Sequence, residues 1–150
     1  MFYEAVTTGS DDESKDVIAR PARIAVAEDD REMRSLVAEA LRRDGHDVTE
    51  LVDGATLLVR IARQYRIKEP AEKLDLVVSD IRMPVISGIA ILKGLRDAHC
   101  ATPVILMTAF GDEATRREAE KLGAVLFDKP FKLAVLRQAV RDLLARGKAA

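Results

Sequence analysis

Cysteine occurs once in the chain, at Cys100, which excludes an internal disulfide and suits a reducing, cytoplasmic setting. No apolar run approaches the roughly 20 residues that cross a bilayer. The amino terminus lacks the basic-then-apolar order of a secretory signal, so no membrane association is expected. Net charge is only −1, and no basic cluster sits on a DNA-reading element. The electrostatic footprint of a nucleic-acid binder is therefore missing. What remains is the composition of one globular domain: 150 residues, 48% hydrophobic and 33% charged, with length for a substantial core and too little for two ordinary domains.

Residues 1–22 read differently from the rest. They hold Glu4, Asp11, Asp12, Glu13 and Asp16 against Lys15 and Arg20, leaving the segment at −3 and the remainder at +2. A polar, aperiodic, acidic stretch buries too little apolar surface to offset its ordering entropy. It reads as a flexible tail whose start, Met1-Phe2-Tyr3, has the makings of a short docking motif. Residues 23–146 form the expected domain and 147–150 a carboxy-terminal tail.

Within that domain strand and helix alternate five times. The first helix runs from an N-cap at Asp30 to Asp44 before Gly45, with Met33, Leu36, Val37, Ala40 and Leu41 on its apolar face. A strand over Val48–Val52 follows, then Asp53-Gly54 and a second helix with Leu57, Leu58, Ile61, Ala62 and Tyr65 on one side. Gly88 opens a third helix, Asp112 caps a fourth that has few apolar residues, and Lys132 begins a fifth. Such alternation predicts an α/β fold, a three-layer (βα)5 with a parallel sheet and right-handed crossovers.

Several strand-like runs end in groups that carry chemistry. Leu74 to Ser79 ends in Asp80, followed by Ile81-Arg82-Met83-Pro84 and Gly88; Arg23 to Ala27 runs into Glu28-Asp29-Asp30. Val104 to Met107 ends in Thr108, and Val125 to Asp128 runs into Lys129-Pro130. In open parallel sheets the carboxyl edge of the strands is where ligands bind. Crowded carboxylates repel one another unless a cation is present. Lys129 supplies one charge, and Mg²⁺ suits a site of a few carboxylates plus a phosphate oxygen. The set thus points to phosphoryl chemistry, with one carboxylate attacking, Thr108 donating a hydrogen bond and Lys129 neutralising charge. Asp80, from the middle strand, is the better nucleophile. Glu28 and Asp29 are better placed to hold the metal, and Asp30 has a simpler explanation as a helix cap.

Taken together, Glu28-Asp29, Asp80 with Met83-Pro84 and Gly88, Thr108-Ala109, and Lys129-Pro130-Phe131 resemble the receiver domain of two-component response regulators, over about residues 22–146. The resemblance implies a flavodoxin-like fold with strand order 2-1-3-4-5, an order for which a receiver is a standing example. It implies that Asp80 takes a phosphoryl group from a sensor histidine kinase or a histidine phosphotransfer protein. Glu28, Asp29, Asp80 and the backbone carbonyl of Arg82 would hold Mg²⁺, with Mn²⁺ as a substitute. Thr108 and Lys129 would contact the phosphoryl oxygens, and the Lys129–Pro130 peptide would be cis. The molecule is then a phosphoacceptor switch that assists only its own phosphorylation and dephosphorylation, not an enzyme acting on other substrates.

Further expectations follow. Arg82 and Phe110 each lie two residues past a site residue and are bulky, while Ala109 is small, so an acyl phosphate is expected to be shielded from water. No output domain follows Leu144, so the chain is expected to act by binding a downstream protein target, with a dimer through the helix 4–strand 5–helix 5 face also open. A phosphorylation-independent interaction module is the first alternative. A Mg²⁺-dependent Asp-nucleophile phosphatase wants an acid where Arg82 stands, and Glu28-Asp29-Asp30 would repel a flavin phosphate. His46, His99 and Cys100 read as surface or helix-end residues, and Arg137, Arg141 and Arg146 as a solvated face.

One position departs from the family pattern. Receivers usually carry an aromatic ring or histidine three residues before the lysine, and here that position is Leu126; Phe127 faces the other side. Leucine offers no ring edge or hydroxyl to distinguish two states, so coupling to the helix 4–strand 5–helix 5 surface is expected to be weakened or rerouted. Beryllofluoride should accordingly produce small backbone shift changes on that face. Changes of ordinary family size confined there would overturn the expectation.

Overall fold

Each strand alternates apolar side chains to its two faces, and the sheet is covered on both sides. In the computed structural model, which describes residues 21–149, β1 (Arg23–Ala27), β2 (Asp47–Leu51), β3 (Leu76–Asp80), β4 (Val104–Thr108) and β5 (Val125–Asp128) form one parallel sheet in the order β2-β1-β3-β4-β5. They alternate with α1 (Arg31–Arg43), α2 (Gly54–Arg66), α3 (Gly88–Asp97), α4 (Glu113–Lys121) and α5 (Leu133–Ala149). A short 3-10 turn at Pro70–Glu72 occupies the long link before β3. The tail expected over 1–22 lies outside the described residues except for Pro21 and Ala22. The tail expected over 147–150 is corrected: α5 continues through Gly147 to Ala149, because no proline or left-handed turn interrupts it.

Two cores result from the alternation. Ile24, Val26, Leu76, Val78, Ile105 and Met107 face Val37, Leu41, Leu136 and Val140 of α1 and α5. Ala25, Ala27, Val77 and Leu106 face Leu57 and Ile61 of α2, Leu92 and Leu95 of α3, and Ala119 of α4. Burying a leucine of this kind stabilises by about 1.5–3 kcal/mol. Ala119 is the one buried residue of α4, in keeping with its sparse apolar pattern.

The helix caps match the reading: Asp30 accepts from the Glu32 N–H at 3.1 Å, and Asp53 and Asp112 accept from the backbone three residues on. Some apolar faces differ. Leu36 is 53% exposed and Ala38 is buried in its place, while Leu58, Ala62 and Tyr65 are exposed. In each helix the sheet takes a narrower stripe than periodicity offers. β2 also begins one residue early, at Asp47, where its N–H meets the Ala22 carbonyl at 2.9 Å.

Register then sets the functional edge. Ala27 pairs with Ser79, Asp80 with Met107 and Thr108 with Asp128. Glu28, Asp80, Thr108 and Lys129 therefore emerge within two residues of one another in register, at the carboxyl ends of four strands. Gly88 closes the β3–α3 loop tightly: a Cβ there would lie 2.5 Å from the Asp80 carbonyl oxygen.

The arginines of α5 are not simply a solvated face. Arg137 Nε donates to Asp44 Oδ2 at 2.9 Å, and Arg141 lies 3.6 Å from the same carboxylate. Asp44 sits at the carboxyl end of α1, where a negative charge opposes the helix dipole, and the arginines offset it. The hydrogen bond from Arg137 holds the Asp44 carboxyl below its ordinary pKa. A depressed aspartate contributes stability above its unfolded pKa and loses it as pH falls through the folded one. Arg137→Ala should destabilise the domain modestly at neutral pH, since the guanidinium is exposed and its pairing is screened by solvent. The deficit should shrink as pH falls through the depressed carboxyl of folded Asp44, where the parent loses the same interaction; urea unfolding across an acid pH series measures both.

Candidate functional site

Glu28 follows β1 and is 1% exposed. Its backbone N–H donates to the Leu51 carbonyl at 3.1 Å, and its own carbonyl accepts from Arg34 Nη1 at 2.8 Å, so the β1 end is pinned on both sides. Its carboxylate accepts the Asp30 N–H at 3.1 Å and Lys129 Nζ at 2.7 Å. Lys129 also reaches Asp80 Oδ2 at 3.4 Å. Asp80 is 7% exposed and its Oδ1 faces the Arg82 N–H at 3.4 Å. One oxygen each from Glu28, Asp29 and Asp80 lies within 4.8 Å of the others. Glu28 and Asp80 are buried and Asp29 is exposed.

Thr108, 1% exposed, ends β4. Its hydroxyl accepts the Phe110 N–H at 3.1 Å, and its carbonyl accepts the Lys129 N–H at 2.7 Å. The peptide between Lys129 and Pro130 is cis, as expected. Arg82 and Phe110 meet over the loops, the guanidinium carbon 5.3 Å from the ring centroid. Ala109 is exposed beside them. Leu126 packs in the core shared by α2, α3 and α4, whereas Phe127 stacks edge-on to Phe131 at 5.3 Å on the opposite face.

The charges of the cluster are unequal in their comfort. Burial pushes the Glu28 carboxyl above its usual range, and the Lys129 and Asp30 hydrogen bonds offset only part of this. Burial opposes the Lys129 ammonium, but its bond to Glu28 and the charge of Asp80 outweigh it, so the lysine is held protonated more firmly than usual. Buried like charges with one cation among them form a site short of positive charge. Hard carboxylate oxygens at this spacing, one of them open to solvent, are the donor set that an oxygen-seeking divalent ion takes.

Sequence reasoning missed three contributors. Ser79 is buried and its hydroxyl donates to the Asp80 carbonyl at 2.9 Å; a serine in an apolar run was the available signal. Arg34 bridges the Glu28 carbonyl and Glu50, which nothing in local spacing reveals. A Cβ on Gly54 would collide with the Ile86 carbonyl, so this glycine lets α2 approach the loop after Asp80. His46 is half-buried rather than superficial. Cys100 does lie at a helix end, its Sγ 3.2 Å from Thr102 Oγ1.

A family model of the response regulator receiver domain matches residues 24–141. The chain belongs to the response regulator receiver family. Over 125 residues it is 36% identical to the transcriptional regulatory protein CpxR of Escherichia coli K12, covering 83% of this chain and 50% of that one. The chain thus spans about half the length of CpxR. Sporulation initiation phosphotransferase F of Bacillus subtilis is 30% identical over 123 residues, 81% of this chain and 93% of that protein. Among solved structures, the receiver domain of the Francisella response regulator 1452 superposes with TM-score 0.74 at 29% identity, covering 84% and 98% of the two chains. Receivers of this family are phosphoacceptor switches that interact with histidine kinases or phosphotransfer proteins. Among the described residues no helix is long and apolar enough to cross a membrane.

Replacing Lys129 with methionine tests the electrostatic account. Without its counter-ion, buried Glu28 should destabilise the metal-free protein by about 2–3 kcal/mol at neutral pH. A carboxyl whose folded pKa is raised is least costly below its unfolded pKa and becomes destabilising as pH climbs through the folded one. The Lys129→Met deficit should therefore narrow toward pH 5, as denaturant melts in EDTA would record.

Proposed function

We propose that Asp80 accepts a phosphoryl group from a phosphohistidine on a sensor histidine kinase or phosphotransfer protein, and that the phosphorylated form signals by protein–protein interaction. The observation that carries this reading is the reach of one ammonium, Lys129, to both Glu28 and Asp80 at the end of the sheet. An Asp80 oxygen attacks phosphorus, the phosphorus–nitrogen bond breaks, and its electron pair returns to the leaving imidazole, which takes up a proton. Thr108 contacts one phosphoryl oxygen and Lys129 another, holding the group in line.

The carboxylates of Glu28, Asp29 and Asp80 and the backbone carbonyl of Arg82 are the oxygens that would hold Mg²⁺, or Mn²⁺ in its place. A bound divalent ion supplies charge neutralisation for the phosphoryl oxygens. Burial of Glu28 beside Lys129 supports this, because the pocket carries more negative than positive charge. The likeness to a protein named sporulation initiation phosphotransferase F supports the class of chemistry. A receiver solved as the beryllofluoride-activated form of DrrB, at TM-score 0.70 and 26% identity, supports a comparable switched state here.

Arg82 and Phe110 are proposed to limit water's access to the acyl phosphate through their mutual contact. Incubation with acetyl phosphate and Mg²⁺ should add the mass of one phosphoryl group to the intact protein. Asp80→Asn should abolish the addition, and EDTA should suppress it; labelling that survives the substitution would defeat the assignment. In the same assay Arg82→Ala with Phe110→Ala should shorten the phosphoprotein's lifetime roughly tenfold, about 1.4 kcal/mol of barrier. An unchanged decay rate would remove the shielding role while leaving Asp80's intact.

A further inference from the structure

The loop that joins β1 to α1 supplies two of the three clustered carboxylates, Glu28 and Asp29. Like charges held that close push the loop apart until a cation arrives, so its backbone needs anchors of its own. It has them on two sides. The Glu28 N–H donates to the Leu51 carbonyl of β2 at 3.1 Å. The Glu28 carbonyl, one residue past the paired part of β1, accepts from Arg34 Nη1 at 2.8 Å.

Electrostatics disfavours a cation where Arg34 stands. It lies in the first turn of α1, where positive charge opposes the helix dipole. Its side chain is only 13% exposed, and it borders a pocket whose carboxylates suit a divalent cation. Glu50 of β2 offsets the charge from the far side. Arg34 Nε donates to Glu50 Oε1 at 3.3 Å, and Arg42 Nη1 donates to Oε2 of the same carboxylate at 2.9 Å. Arg42 Nη2 also donates to the Val48 carbonyl at 2.9 Å, which secures the outer end of the chain of contacts. With its charge answered by Glu50, what Arg34 offers the loop is a directed N–H. The guanidinium fork serves both directions at once, Nε toward β2 and Nη1 toward Glu28. A lysine ammonium, a point charge on a flexible stem, has no such fork.

We infer that Arg34 is a positioning residue for the metal: by fixing the Glu28 carbonyl against β2, it sets the path of the loop so that the Glu28 and Asp29 carboxylates stand with Asp80 before an ion arrives. This role rests on the divalent-ion reading of the pocket. It adds a residue that touches neither the ion nor the phosphoryl group. Groups that orient metal ligands in this way are worth roughly 10–100-fold in affinity.

The sign of the effect separates positioning from charge. By charge alone, losing a cation beside the pocket tightens Mg²⁺ binding; losing a positioning bond weakens it. The full chain is titrated with MgCl₂ and followed by the amide NMR shifts of Asp29, Asp30 and Arg82, with urea unfolding in EDTA alongside. Arg34→Met should raise the Mg²⁺ Kd roughly tenfold. Arg34→Lys keeps the charge and loses the fork, so it should raise Kd by a smaller factor, and it carries the test if Arg34→Met does not fold. Arg42→Met removes an equal charge and the other arm of Glu50 but leaves the Glu28 carbonyl bonded. Its Kd should match the parent's even where its stability falls as far, because destabilisation lowers the folded fraction without changing the affinity of the folded form. Arg34 variants that bind as tightly as the parent, or more tightly, would overturn the positioning role and leave the metal reading standing. An equal loss in Arg42→Met would overturn it too, assigning the effect to the α1–β2 brace as a whole. A parent whose shifts ignore Mg²⁺ would sink the metal reading and this role with it.

Discussion

The Lys129 ammonium is the constraint on which the site depends. It belongs to the residue just after β5, yet its partners follow β1 and end β3, so one cation ties together three strands of the sheet. On the Glu28 side the contact is almost fully shielded from water, where a charge pair is worth more and a lost partner costs more. Lys129's own backbone N–H is fixed by the Thr108 carbonyl. The position of the ammonium is thereby set by β4 as well. The four strand ends cannot shift independently.

That arrangement works against the stability of the domain. Glu28, Asp29 and Asp80 repel one another, and the Glu28 carboxyl is raised by burial. The fold tolerates this because the two cores on either side of the sheet are continuous and packed with Val, Ile and Leu. Stability concentrated in the layers supports an edge that is electrostatically unsatisfied until a ligand supplies positive charge. The left-handed Val85, with φ of 72° and 91% exposed in the loop after Asp80, is a second local cost at the same edge.

The position three residues before Lys129 is occupied by an aliphatic side chain. Leu126 lies among the apolar residues under α2, α3 and α4, so it is a packing element and not a polar or aromatic reporter. Meanwhile Arg116 of α4 reaches Asp128 of β5 at 2.9 Å, and Arg96 of α3 bonds the Leu122 carbonyl at the end of α4. α4, with one buried residue, is held largely by these polar ties. A helix with so little buried apolar surface is among the less firmly anchored elements of the domain.

The sequence alone determined the alternation of strands and helices, the caps at Asp30, Asp53 and Asp112, and the residues that end each strand. These are local properties: periodicity, cap chemistry and the polarity of one strand terminus are written within a few neighbouring positions. Motif order at Glu28-Asp29, Asp80, Thr108 and Lys129 even carried the family. Tertiary structure decided what no local pattern encodes. It buried only Leu57 and Ile61 of the apolar side read for α2, placed Arg34 on the Glu28 carbonyl, set Ser79 and Gly88 around the Asp80 backbone, and joined Arg137 to Asp44. Each of these depends on a surface or atom contributed from elsewhere in the chain, and periodicity specifies which residues share a face without specifying what that face will meet.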